Sequence, residues 1–134
     1  MGTRSNIGYK KPDGKIVAAY CHWDGYPSHH GKILLANYNT AEKVKELVSG
    51  GNISILAERC DKPDGHSFEN PVTGHTVYYG RDRGETEQSP TEYADEAALL
   101  AGMEEYAYIF TSKGWIFSDH GKKFKKLTKK ACVD

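Results

Sequence analysis

Between His22 and Gly31 the chain gathers His22, Trp23, Asp24, Tyr26, His29 and His30 into ten residues. Gly25, Pro27 and Gly31 interrupt regular structure there, so the segment reads as a loop. Large rings in a loop are either buried or used. Used, Trp23 and Tyr26 would stack on a flat ligand, and one base stacked on one ring is worth about 1–3 kcal/mol. His22 and Asp24 would read the polar edges of a base or ribose, since residues two apart share a face of an extended chain. His29 and His30 would add hydrogen bonds or charge. In the competing reading Trp23 plugs the end of the core and the histidines are merely solvated.

The arginines form the second constellation. Among 18 basic side chains only Arg4, Arg59, Arg81 and Arg83 are arginine. A guanidinium fork grips phosphate bidentately, whereas lysine offers a point charge. Arg81 and Arg83 bracket Asp82 just after a strand-like run, His75 to Gly80. Gly80 and Gly84 would let backbone approach a ligand there, and Tyr79 adds a ring. Arg4 precedes the first strand. Competing with phosphate are surface pairs of Arg81 and Arg83 with Asp82, Glu85 or Glu87. The candidate ligand-binding set is therefore Arg4, His22, Trp23, Asp24, Tyr26, Tyr79, Arg81 and Arg83.

Catalytic templates fail. The chain has no G-x-S-x-G elbow, no phosphate-binding Walker loop and no G-x-G-x-x-G. His66-Ser67 and His75-Thr76 miss the His-x-Thr/Ser register of two-histidine phosphoesterases, because an adjacent hydroxyl points to the other face of a strand. No nucleophile stands by His22 and Asp24, so no catalytic residue is assigned. Cys21, Cys60 and Cys132 lack the clustering that zinc requires. Neither metal nor cofactor is expected, and the thiols suit a reducing cytoplasm.

Composition narrows the class further. The 134 residues carry 18 acidic and 18 basic side chains, a formal net charge of zero. A protein that coats DNA would be visibly basic. Six lysines crowd positions 122–130, but Phe124 and Leu127 interleave with them, which suits a surface helix or strand with two anchors. A mean hydropathy of -0.67 argues against a membrane span. The opening residues contain no apolar core of a secretory leader.

A single domain of α+β class must position these residues: an antiparallel sheet of about five or six strands with two or three helices packed on one face. Asn6–Lys10 and Lys15–His22 read as a hairpin around Lys11-Pro12-Asp13-Gly14, where proline and glycine set the turn. Apolar residues on both faces of the second strand make it central and covered. Lys-Pro-Asp-Gly recurs at 62–65 as a similar turn, without a flanking repeat. Helices are expected over 32–38, from an Asn39 cap to Gly50-Gly51, and from a Ser89 cap with Pro90 at N1 to about residue 105. In the last helix Tyr93, Ala97 and Leu100 would be the buried stripe. Short strands are expected at 53–57 and 75–80, with a closing hairpin over 106–111 and 115–118.

Gly2-Thr3-Arg4-Ser5, the run Cys21-His22-Trp23-Asp24-Gly25-Tyr26-Pro27-Ser28 and the later Tyr78-Tyr79-Gly80-Arg81-Asp82-Arg83-Gly84-Glu85 resemble the signatures of a family of small proteins encoded by tailed bacteriophages. The resemblance covers most of the chain. It implies an accessory protein that counters host defence in the host cytoplasm, similar to the anti-CBASS sponges that sequester cyclic nucleotide signals without cleaving them. The expected partner is then a small nucleotide, a cyclic dinucleotide included, with no membrane and no nucleic acid. A homo-oligomer with several sites would suit a sponge. The alternatives are an inhibitor that docks a host protein through loop 22–31, and a histidine-dependent phosphodiesterase.

Overall fold

The computed structural model describes residues 3–85, 88–102, 105–120 and 123–132. The hairpin at 5–21 forms as its turn chemistry dictates. β1 (Ser5–Lys10) and β2 (Ile16–Cys21) pair antiparallel, and Gly14 closes their turn at φ +90°. β6 (Tyr106–Thr111) and β7 (Gly114–Asp119) form the second hairpin, continued by β8 (Lys125–Lys126). β1 joins the two hairpins by pairing parallel to β6, with Ile7 opposite Tyr108. Beyond β2 lie β3 (Ile53–Ile55), parallel to it, and β4 (Val77–Tyr78), antiparallel to β3.

The α+β class is the one expected, but the sheet is mixed and has eight strands, in the order β4-β3-β2-β1-β6-β7-β8 with β5 (Thr91–Tyr93) on β2. Of the two extra strands, β8 lies in the lysine tail and β5 comes from a segment expected to be helical. Ser89 and Pro90 start no helix. Thr91–Tyr93 pairs instead with Ile16–Ala18, the part of the β2 edge that β3 leaves uncovered. The helix begins later, as α3 (Glu96–Gly102), where Asp95 Oδ1 accepts from the Ala98 N–H at 2.9 Å. Leu99 is its buried residue, while Ala97 is exposed. An available sheet edge has outweighed a good capping sequence, since an unpaired edge leaves backbone groups unsatisfied.

The helices also divide between the faces instead of sharing one. Ile7, Ala19, Cys21, Tyr108 and Phe117 belong to the larger core, completed by Leu34 of α1 (Lys32–Asn37) and by Val44, Leu47 and Val48 of α2 (Ala41–Ser49). Their neighbours Ile16, Ala18, Ala107 and Ile109 pack with Leu99 of α3 in a second core. β2 is thus buried on both sides, as its sequence indicates. The α2 cap is Thr40 rather than Asn39, its Oγ1 accepting from the Lys43 N–H at 3.3 Å. Gly51 takes the left-handed C′ position at φ +82°, as expected of the Gly-Gly pair.

Buried aromatics fasten the connecting segments by their polar tips. The hydroxyls of Tyr38, Tyr78 and Tyr108 donate to the carbonyls of Ala57, Leu47 and Gly25, and Trp115 Nε1 donates to the Tyr38 carbonyl. Each ring therefore adds apolar area to the core while satisfying a carbonyl of a loop or of the last turn of a helix. In the lysine tail Leu127 is buried and Phe124 half-buried, so both anchors are in place. Lys122 lies outside the described residues.

Candidate functional site

The first part of loop 22–31 is pinned to β3 and to the segment that leads into β1. The N–H groups of His22 and Trp23 donate to the Ile53 and Ser54 carbonyls at 3.0 and 3.2 Å, and the Gly25 N–H donates to Thr3 at 2.8 Å. A Cβ on Gly25 would stand 2.8 Å from the Ser5 Cβ and 2.9 Å from the Thr3 carbonyl, so no other residue lets the loop lie so close to β1. That contact sets the Arg4 backbone against Gly25 in the middle of the loop. Asp24 is held at φ +58°, a conformation that costs a non-glycine residue about 1–2 kcal/mol. Its Oδ1 accepts from the Tyr26 hydroxyl at 3.3 Å.

Despite this pinning, Trp23 is 41% exposed. It does not plug the core. His22 packs edge-on against the indole with ring centroids 4.7 Å apart, and His22 Nδ1 shares a 2.6 Å hydrogen bond with the Tyr20 hydroxyl. Ile55, equally exposed, stands at the same end of the adjacent parallel strand.

The second half of the segment is not loop. Pro27–Gly31 winds into a π-helical turn, which drives His30 into the larger core. There its Nδ1 lies 3.0 Å from Ser5 Oγ and its Nε2 3.6 Å from Cys21 Sγ. Burial pulls its pKa down to about 3, so His30 is a neutral core residue and brings no charge to a ligand. Burial likewise pushes the Cys21 thiol up to about 12.

Segment 78–85 is built the other way. The Asp82 carboxylate is fully enclosed. It accepts from the Tyr78 N–H at 2.8 Å, from Arg81 Nε at 2.8 Å and Nη2 at 3.0 Å, and from His66 Nε2 at 3.2 Å. Because His66 Nδ1 accepts from the Val72 N–H, the ring proton sits on Nε2. Burial alone would raise the Asp82 pKa, but the bonds from Arg81 and Tyr78 outweigh it and hold the carboxyl below its ordinary range. The remaining Arg81 donors reach the Cys60 and Thr76 carbonyls at 2.7 and 3.1 Å. Arg81 is therefore an internal clamp for residues 60–82, not a fork presented to solvent. Arg83 stays outside, its guanidinium 4.7 Å from the Phe68 ring centroid and Nε 3.4 Å from Glu85. Tyr79 packs on the same Phe68 ring at 5.8 Å.

β3 runs between the two segments. His22 and Trp23 bond one of its edges, and Tyr78 pairs with the other. The candidate set thus resolves into a group of Arg4 with His22, Trp23, Asp24 and Tyr26, and a group of Tyr79, Arg81 and Arg83.

Two clefts lie elsewhere, and neither draws a wall from these eight residues. One, of about 420 Å³, mixes Lys43 and Arg59 with Glu46, Glu58 and Asp61 and favours no sign of charge. The other, of about 740 Å³, is lined by Tyr9, Phe110 and four lysines. Sequence reading missed it, although lysines at both turn tips, Lys10-Lys11 and Lys113, were the available signal. No cluster of His, Cys, Asp and Glu among the described residues could hold a metal ion, and no described helix is long and apolar enough to cross a membrane. Compared with protein-family models, curated proteins and solved structures, the chain matches none.

Proposed function

We propose that the protein is a non-enzymatic binder that holds a small nucleotide against Trp23, as a phage-encoded sponge for a defence signal would. The observation that carries this reading is the half-open indole on a loop pinned by backbone hydrogen bonds. An exposed ring on a rigid support loses little freedom when a base stacks on it. His22 and Asp24 supply polar atoms next to the ring, and Arg4 is the arginine of the candidate set whose backbone borders Gly25. A sponge needs no nucleophile.

Calorimetric titration with cyclic dinucleotides and linear nucleotides tests the reading, followed by mass spectrometry of the released ligand. The expected result is stoichiometric binding, recovery of intact ligand, and an affinity lowered by roughly 5- to 150-fold in Trp23→Ala, the loss of about 1–3 kcal/mol of stacking. A cleaved product would make the protein an enzyme, and absence of binding to every nucleotide would end the nucleotide reading.

One observation favours docking of a host protein instead: the exposed Ile55 at the same end of the sheet as Trp23. Trp and neighbouring apolar residues are the usual anchors of protein interfaces. A protein partner retained by the wild type, lost in both Trp23→Ala and Ile55→Ser, and indifferent to nucleotides would establish that alternative.

A further inference from the structure

β1 and β6 are adjacent and parallel, so their carboxyl ends lie together. From that end the chain leaves in opposite directions, β1 turning back into β2 and β6 into β7 on the far side. Two turns that diverge from neighbouring parallel strands leave a crevice between them. In open α/β sheets such a switch in strand order is where ligands settle, and the geometric cause does not depend on whether the connections are helices or hairpins.

The crevice is the cleft of about 740 Å³, within the size range of small-molecule sites. Tyr9 and Phe110, register partners on β1 and β6, give it two half-buried rings. Lys10 and Lys11 enter from the first turn, Lys113 from the second and Lys45 from α2. Glu92 binds Lys11 at 2.9 Å, and Glu96 lies 3.9 Å from Lys10. Among the described residues, Lys45 and Lys113 have no carboxylate within 4 Å; Lys45 lies instead 5.8 Å from the Tyr9 ring centroid. The ammonium groups of Lys45 and Lys113, beside the carboxylate-paired Lys10 and Lys11, raise the local concentration of anions. Two ring surfaces in the same wall add affinity for a flat group.

We infer that this cleft is a second binding site, separate from Trp23, for a small phosphorylated compound bearing a flat ring, the chemistry of a nucleoside diphosphate. Lys45 and Lys113 bind the phosphates, and Tyr9 and Phe110 receive the ring. The inference does not rest on the reading of Trp23.

Titration of the intact protein at low ionic strength with ADP, pyrophosphate and adenosine tests it. ADP is expected to bind, pyrophosphate more weakly, and adenosine weakest. The exposed pair Lys45→Ala/Lys113→Ala, which removes no core contact, is expected to weaken ADP by roughly ten-fold or more. ADP that Trp23→Ala still binds is expected to lose affinity by the same factor when Lys45→Ala/Lys113→Ala is added to that variant. The assignment is overturned if ADP does not bind, if pyrophosphate or adenosine binds as tightly as ADP, or if the double variant retains full affinity. It is equally overturned if Trp23→Ala abolishes ADP binding, or if a single-stranded oligonucleotide outcompetes ADP at equal phosphate concentration.

Discussion

Segments 22–31 and 78–85 look alike as strings of aromatic and charged residues, yet the fold uses them in opposite ways. The second turns its charge inward: Asp82 collects Arg81, His66 and the Tyr78 N–H, and the cluster holds residues 60–82 together. The first keeps one buried anchor, His30, and turns Trp23 out to solvent. A charge satisfied by the fold is unavailable to a ligand. A large ring left exposed on a rigid loop is surface that the fold itself has not used.

Substitutions should separate the two loops sharply. Asp82→Ala leaves a half-buried guanidinium and two donors without their acceptor and is expected to cost about 3 kcal/mol in urea unfolding, the low end for breaking a buried pair because the guanidinium keeps some solvent. A loss below about 1 kcal/mol would mean that the cluster is not the brace described.

Acid should find the first loop before the second. His30 stays neutral in the fold down to about pH 3 but takes a proton in the unfolded chain near its ordinary value of 6.5. Its folded pKa is depressed, so its contribution is complete above pH 6.5 and is lost as pH falls toward 3, by up to about 1.4 kcal/mol per pH unit. Asp82, also depressed, is complete above the ordinary carboxylate range and lost only below it. Unfolding free energies measured down the pH scale should show a first decline that His30→Gln flattens. A decline unchanged in that variant would assign it to other groups.

Arg81→Ala is expected to cost about 1.5–3 kcal/mol, the value of hydrogen bonds to a charged partner, while Arg83→Ala stays within about 0.5 kcal/mol. Equal effects would erase the distinction drawn between the two guanidinium groups. Smallest of all should be Trp23→Ala, within about 0.5 kcal/mol by thermal melting at neutral pH. A large destabilisation there would return the indole to the core.

The hairpins, the α2 helix and the two-sided burial of β2 were legible because turn residues and apolar spacing act locally. The β1–β6 pairing was not, since nothing near Ser5 indicates that Tyr106 will be its neighbour. The segment at 91–93 was misread for the same reason: its fate depends on an edge of β2 that exists only after folding. At the site, the sequence singled out Trp23 but could not tell Arg81 from Arg83, because the acceptors that claim Arg81 come from residues 60 and 76 as well as its neighbour Asp82. The burial of His30 is not legible either, for no local sign in the sequence shows that the chain coils at Pro27–Gly31.

The parallel seam between β1 and β6 also bears on how the protein is made. As the polypeptide leaves the ribosome, the first hairpin can close at once, but the outer edge of β1 has to wait until residues 106–111 have emerged. Throughout that interval a nascent strand with unpaired backbone is exposed to neighbouring chains, the circumstance in which unfinished sheets associate wrongly. Completion of the sheet therefore waits on the synthesis of β6, and a ribosome stalled before it would display a hairpin with its docking edge bare.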